Sequence, residues 1–300
     1  MRLHAVVSGW LLGPPSGANK RLLAVLAHAA RHLSEHERIT VLHRPEFAPP
    51  ELPSVTWLAV DIPTRPSWKR ALVEQFRLKT LLSELGATVY DHGFLPAPRV
   101  PVPTCLTIHD LRAADGHTIW PKTVARSVLR KTCRRVRAIV VPSKFTAERL
   151  HELVPFTHDM TVVAHNAWSA PEEVPQLPLP LPEQGYLLHV GHLEARKNLD
   201  VVLRALALLP KNVTLELWLA GKDAGVGDKL QQLAQQLGIT ARVRQLGAVS
   251  DATLHSLYCH ARAVLMPSVY EGFGMPVLEG LAYGREVLAS NTTAMPEVMR

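Results

Sequence analysis

Glu271 and Glu279 close the two ends of "EGFGMPVLE", and Gly272, Phe273 and Gly274 follow the first of them. The run "RAVLMPS" reads as a strand that ends just before Glu271. Pro276 suits the first turn of a helix, where its missing N–H costs nothing. The amides from Gly272 to Met275 therefore stand at a helix amino end. Glycine lets backbone approach an anion closely, and the helix dipole adds positive potential, so a phosphate fits there. Glu279 falls in the first turns of that helix, able to face the same cleft. A carboxylate can accept two hydrogen bonds from a vicinal diol, which makes ribose or sugar hydroxyls natural partners. Two rival readings use the same residues. Both acids can be surface groups favoured by the dipole. Gly272 and Gly274 also spell the start of a dinucleotide fingerprint, but Val277 stands where its third glycine belongs.

Other residues could take part. Arg196 and Lys197 lie together in "EARKN", at the start of a helical pattern. Basic charge there opposes the helix dipole, which favours a functional role over a solvated helix start. His109 and Asp110 close a strand-like run, "TCLTIHD". With Asp115 and His117 they could suggest a metal site, but the spacing matches no tight ligand motif. No Asp-x-Asp occurs anywhere in the chain. Gly17 opens the first long helical pattern, although Gly13 to Gly17 also reads as an ordinary loop.

Elements that could hold these groups follow from the alternation of short β-branched runs with helical periodicity. Strands are expected over Leu3–Ser8, Ile39–His43, Val55–Val60, Ala87–His92, Thr104–Asp110 and Ala138–Ser143. Helices are expected over Ala18–Leu33, Trp68–Leu85, Pro121–Val136 and Lys144–Leu153. "SAPEEVPQLPLPLPEQG" (Ser169–Gly185) holds five prolines; such a segment is extended and makes a poor core element, so it reads as a linker. The alternation then restarts with "YLLHVG", "VTLELWLAG", "RVRQLG", "RAVLMPS" and "EVLAS". Two doubly wound α/β domains are expected, over 1–170 and 185–300, joined by a linker at 171–184. Ligands in such sheets bind at the carboxyl ends of strands, often in a cleft between domains.

Composition agrees. Three hundred residues suit two domains, and 47% apolar content with 20% charged residues suits soluble cores. The net charge of +7 fits an anionic ligand, an anionic membrane surface or nucleic acid, and chooses none of them. Three separated cysteines, Cys105, Cys133 and Cys259, form no disulfide framework, which points to a reducing cytoplasm. The amino end lacks a signal-peptide core, and no apolar run is long enough to span a bilayer.

"EGFGMPVLEGLAYG" resembles the Glu-x7-Glu signature of retaining glycosyltransferases of the GT-B fold, family 4 (glycosyl transferases group 1). "HVGHLEARKNLDVVLRAL", "LWLAGKD", "VRQLGAVSDATLHSLYCHARAVLMPS" and "SNTTAMPEV" follow that family's order. "LTIHDL" and "VVPSKFTAERL" fit its first domain. The resemblance covers most of the chain and is most specific in the carboxy-terminal half. It implies two Rossmann-like domains facing a cleft, and transfer of a hexose from a nucleotide-sugar donor with retained configuration. In that pattern Glu271 lies near the donor sugar and reacting phosphate, and Glu279 holds the ribose hydroxyls. Gly272, Phe273 and Gly274 supply amides to sugar and phosphate. Lys197 neutralises the donor diphosphate, Arg196 is a second cation, His109 faces the donor sugar, and Gly17 lies near the acceptor and phosphates. No metal and no cofactor beyond the GDP- or UDP-linked donor is implied.

The chain departs from the pattern in three places. His192 stands where relatives often have arginine, and Arg285 and Glu286 follow "AYG". The chain also ends at Arg300, just past "MPEV", where relatives continue, so its carboxy-terminal domain reads as incomplete. "KTVARSVLRKTCRRVR" (Lys122–Arg137) is a basic amphipathic stretch. It is either a solvated helix face or a surface for anionic lipid headgroups; no nucleic-acid module accompanies it. The sequence thus reads as a cytoplasmic enzyme, at the inner face of the membrane where it meets lipid, moving a hexose such as mannose to a glycan or lipid-linked acceptor. A non-catalytic nucleotide-sugar-binding subunit and a nucleotide-sugar epimerase are the alternatives.

Overall fold

The structure, a computed structural model, describes residues 3–300 apart from 11, 14–16, 64, 65, 119, 169–172, 174, 175 and 177. Much of the proline-rich segment read as a linker therefore lies outside the described residues. The chain divides into two compact units, Met1–Ala167 and Trp168–Arg300.

The first unit contains β1 (Leu3–Ser8), α1 (Gly17–Ala30), β2 (Glu37–His43), β3 (Val55–Ala59), α2 (Ser67–Glu84), β4 (Val89–His92) and β5 (Thr104–Thr107). It continues with α3 (Arg112–Asp115), α4 (Lys122–Cys133), β6 (Ala138–Val141), α5 (Lys144–Leu153) and β7 (Thr161–Val163). Its strands form one parallel sheet in the order β3-β2-β1-β4-β5-β6-β7. The order runs outward in both directions from β1, which makes the carboxyl ends of β1 and β4 the switch point of a doubly wound sheet.

Register fixes which helices share a side. Val6 pairs with Tyr90, Tyr90 with Thr104, and Leu106 with Ile139. Side chains alternate along a strand, so Val6, Tyr90, Leu106 and Ile139 share one face. Leu78 and Leu82 of α2 pack on Val6 and Tyr90, and Leu129 of α4 and Leu150 of α5 pack on Leu106 and Ile139. The opposite face carries Val7 and Val41 beneath Leu26 of α1.

The second unit contains β8 (Tyr186–Val190), α6 (Leu199–Ala207), β9 (Glu216–Ala220), α7 (Gly227–Gln236) and β10 (Val243–Gly247). It ends with α8 (Asp251–His260), β11 (Ala263–Met266), α9 (Met275–Ala282), β12 (Glu286–Ala289) and α10 (Met295–Val298). Its parallel sheet has the order β10-β9-β8-β11-β12. Leu217, Leu219 and Leu265 pack under α6 and α7, while Tyr186, Trp218 and Val264 pack under α8. Tyr186 and Trp218 stack with ring centroids 4.0 Å apart.

Both units are Rossmann-like, as expected. Several elements differ from expectation at their ends, mostly by being shorter. The strand expected over Thr104–Asp110 stops at Thr107. Asp110 turns the chain into α3, its Oδ1 accepting the Arg112 N–H at 3.1 Å. The strand expected from "VTLELWLAG" begins only at Glu216.

Candidate active site

The glycine turn joins β11 to α9. Gly274 has a left-handed φ of 103° and caps α9, whose first turn holds Pro276. A Cβ on Gly274 would lie 2.3 Å from Cε of Met295, so α10 presses on the turn from behind. Thr293, just before α10, has a φ of 54°, a conformation that a β-branched residue rarely adopts. Its Oγ1 accepts the Glu271 N–H at 3.2 Å. The residues just after β12 thus brace the turn at both of its ends.

Glu271 is the acceptor for two cations. Its Oε1 lies 2.7 Å from Lys197 Nζ and 2.5 Å from Arg196 Nη1. Arg196 also donates to the Tyr270 carbonyl at 2.9 Å and pairs with Glu194 at 2.6 Å. The Val269 N–H returns a backbone bond to the Arg196 carbonyl at 2.9 Å. Two loops at strand carboxyl ends are thereby locked together. Asn198, left-handed at φ 54°, ends the short turn that carries Arg196 and Lys197 and starts α6. Gly191 gives the lysine room, since a Cβ there would come within 3.2 Å of Lys197 Cε and Nζ.

Lys197 is 5% exposed, which removes the solvated helix start as a description of it. Burial would raise the Glu271 carboxyl, but the charges of Lys197 and Arg196 hold it below its ordinary value. Burial pushes the Lys197 ammonium down, and Glu271 opposes that push. Beneath them His189 is fully buried, with Nδ1 3.0 Å from the Leu265 carbonyl. Burial, then the Lys197 charge, lowers its pKa to about 4, so it is neutral.

Glu279, expected to open toward a cleft, is 2% exposed. Its Oε2 accepts the Tyr258 hydroxyl at 2.6 Å. The cause is the close seat of α9 on its strands: a Cβ on Gly280 would lie 2.9 Å from Val264 Cγ2 and 3.0 Å from Val287 Cγ2. At that distance the neighbouring glutamate is drawn in against α8. Neither glutamate is therefore a surface acid. Phe273 and Met275 are buried as well.

The first unit holds its candidates at the switch point. Gly17 is the first residue of α1. A recess there is lined by Ser8, Gly9, Arg21, Asp91, Thr107 and His109, among others. No side chain fits at Gly9, where a Cβ would lie 2.9 Å from the Leu42 carbonyl oxygen. Burial, then the Arg21 charge, lowers the His109 pKa to about 4, so its ring is neutral at neutral pH. Burial raises Asp91 to about 6 against the Arg21 charge. Asp115 pairs with Arg149 Nη2 at 2.6 Å. Among the described residues no three His, Cys, Asp or Glu side chains gather as metal ligands would.

Residues 15–169 match the family model described as Glycosyltransferase Family 4, and residues 172–300 match that described as Glycosyl transferases group 1. The chain belongs to glycosyltransferase family 4. Among relatives of this family 4 chain, the O-antigen chain mannosyltransferase B of Escherichia coli is 33% identical over 207 residues. The match takes in 64% of this chain and 54% of that protein, so it spans about half the relative's length. A sucrose-phosphate synthase from Thermosynechococcus elongatus has the same fold, with a TM-score of 0.76 at 17% identity, over 98% of this chain and 82% of that one. WaaG, a glycosyltransferase involved in lipopolysaccharide biosynthesis, gives 0.70 at 15% identity, over 98% and 83%. These neighbours establish the GT-B fold.

The family 4 pattern singled out Glu271, Lys197, Arg196 and the turn, and the structure brings them together in one unit. Sequence reasoning passed over Thr293, His189, Tyr258, Arg21 and Asp91. Thr293 lies inside "SNTTAMPEV" and Asp91 lies next to the end of a strand, but no spacing rule ties either one to its partner.

Proposed function

We propose that the chain is a retaining hexosyltransferase that moves mannose, or a related hexose, from a GDP- or UDP-linked donor to a glycan or lipid-linked acceptor. The observation that carries this reading is the Glu271 carboxylate held between Lys197 and Arg196, beside the glycine turn at the amino end of α9. The mannosyltransferase relative supports the choice of sugar. Three free cysteines suit a reducing cytoplasm.

In this reading the bond from sugar C1 to the donor phosphate breaks, and C1 gains a bond to an acceptor oxygen. The acceptor proton leaves with the departing diphosphate. Charge grows on that diphosphate, and Lys197, Arg196 and the amides at Gly272 to Gly274 stabilise it without moving far. Glu271 lies beside the sugar, where positive charge develops. Its negative charge also keeps the two cations ordered until the diphosphate arrives. Glu279, fixed by Tyr258, holds the ribose hydroxyls with its remaining acceptor capacity. His109, in the recess of the first unit, is a neutral hydrogen-bonding group there rather than a cation.

The test is turnover of GDP-mannose and UDP-hexoses, with the anomeric configuration of the product read by NMR. An α-linked product from an α-linked donor is expected. An inverted product would overturn the retaining assignment, and tight donor binding with no turnover would overturn the enzyme assignment.

A further inference from the structure

The positive charge of the chain belongs to the first unit. Met1–Ala167 holds 22 Lys and Arg against 13 Asp and Glu, or +9, whereas Trp168–Arg300 holds 11 against 13, or −2. Arg196 and Lys197, assigned above to the diphosphate, lie in the second unit. The diphosphate site therefore does not account for the excess in the first unit.

Helix α2 is turned inside out for part of its length. Positions 70, 74, 78 and 82 form its buried stripe. Two of them are ionisable: Arg70 is 5% exposed and Glu74 is fully buried, with Arg70 Nε 3.6 Å from Glu74 Oε1. Arg70 also donates to the Leu95 carbonyl at 3.0 Å and lies over the Phe94 ring at 4.8 Å. The outward stripe is apolar instead. Trp68, Leu72 and Phe76 are 65%, 53% and 72% exposed. Spacing of four residues places them in one row, and Lys79 falls within the same row, with Lys69 at its side. The acids of α2 are Glu74, buried, and Glu84, its last residue.

Helix α4 covers the same face of the sheet as α2. From Lys122 to Arg137 the chain carries seven cations and no carboxylate. Trp120 and Val124 at its start are 53% and 44% exposed. One side of the first unit thus presents exposed rings and aliphatic groups among cations. Cations alone would suit any polyanion. Exposed Trp, Leu and Phe in a row need an apolar medium just beyond the charges, and a bilayer interface supplies both. Tryptophan rings favour the headgroup level, and lysine stems reach back to phosphate.

We propose that α2 and α4 form one docking face of the first unit for an anionic lipid bilayer, with Trp68, Leu72 and Phe76 seated among the headgroups. Among the described residues no helix is long and apolar enough to cross a membrane; this face lies on the surface. The α4 part is visible in the sequence as a basic amphipathic stretch. The α2 part, which turns adsorption into insertion, is visible only in the structure.

Vesicle sedimentation of the full chain tests this without donor or turnover, so its failure would leave the transferase reading untouched. The chain should bind phosphatidylcholine vesicles containing about 30 mol% phosphatidylglycerol and ignore pure phosphatidylcholine. One variant carries Trp68→Ser, Leu72→Ser and Phe76→Ser; another carries Arg130→Gln, Lys131→Gln and Arg135→Gln. All six residues are exposed, so both variants should melt as the wild type does. Each should lose roughly tenfold or more in vesicle affinity, and high salt should release the wild type. Wild-type chain that ignores the anionic vesicles would overturn the proposal. So would a serine variant that binds like wild type, since α4 would then be adsorbing by charge alone. Tighter binding to single-stranded RNA than to vesicles, unchanged in the serine variant, would make the face a nucleic-acid surface instead.

Discussion

Replacing Glu271 with glutamine removes one charge and little volume. Its Oε1 serves Lys197 at 2.7 Å and Arg196 at 2.5 Å. The three side chains are 12%, 6% and 15% exposed, so water screens them weakly. A hydrogen bond to a charged group contributes about 1.5–3 kcal/mol, and a neutral acceptor keeps roughly half of that. Two such bonds weakened together give a loss of about 1.5–3 kcal/mol, which reaches the lower edge of the range for breaking a buried pair. Arg196 keeps Glu194, so most of the loss falls on Lys197. Urea unfolding at neutral pH should show it as a lower midpoint.

Two further readouts separate this account from a general loss of packing. Nucleoside diphosphate returns negative charge to Lys197, so GDP or UDP should stabilise the variant more than the wild type. The pH dependence has a definite sign. Glu271 sits below its ordinary value of 4.5 in the fold. The unfolded chain therefore takes up its proton first on acidification. The advantage of the wild type is complete above about pH 5 and shrinks as pH falls through the folded value. Turnover should fall more than donor affinity, because the proposed mechanism sets the carboxylate beside charge that develops in the transition state. Equal stability at neutral pH, or an advantage that persists unchanged near pH 2–3, would refute the charge argument.

Lys197→Ala should weaken binding of the nucleoside diphosphate by roughly tenfold or more in calorimetry, as loss of a charge-assisted contact implies. Glu279→Gln should raise the donor KM by about tenfold with little change in kcat, and Tyr258→Phe should shift KM in the same direction by less, because it only frees the carboxylate. Gly274→Ala should cost about 1–3 kcal/mol through its φ of 103° and should slow turnover as the turn amides shift. Burial raises Glu74 to about 7, so between about pH 4.5 and 7 the fold holds a proton that the unfolded chain has released. Its contribution to stability declines as pH rises through that window. Glu74→Gln should remove up to about 3 kcal/mol of that decline, seen as a smaller loss between mildly acidic and mildly basic pH in urea titrations.

How far the sequence could be read depends on whether a residue's task is local. The βαβ rhythm is local, and it placed most strands and helices of both units; the edge strand Thr161–Val163 and the one-turn helix Arg112–Asp115 are too short to show a period. So is the turn at Gly272 to Gly274, since strand, glycines and Pro276 follow one another in the chain. The pairing of Lys197 with Glu271 spans 74 residues, and family resemblance rather than spacing suggested that both serve one ligand. Tyr258 and Thr293 had no such guide, because a hydroxyl that fixes a carboxylate or a backbone amide leaves no periodic trace. Helix α2 shows the opposite failure. Its apolar residues recur at helical spacing on two stripes, Trp68-Leu72-Phe76 and Leu78-Leu82, and polarity alone cannot tell which faces the sheet. The fold buries Arg70 and Glu74 at the switch-point end, where Arg70 holds the Phe94–Leu95 loop, and Phe94 lines the recess with His109. A helix that turns an arginine and a glutamate inward to support a site leaves apolar groups outside. An anionic bilayer gives those groups a place to be buried, which joins the two features of α2 into one physical account.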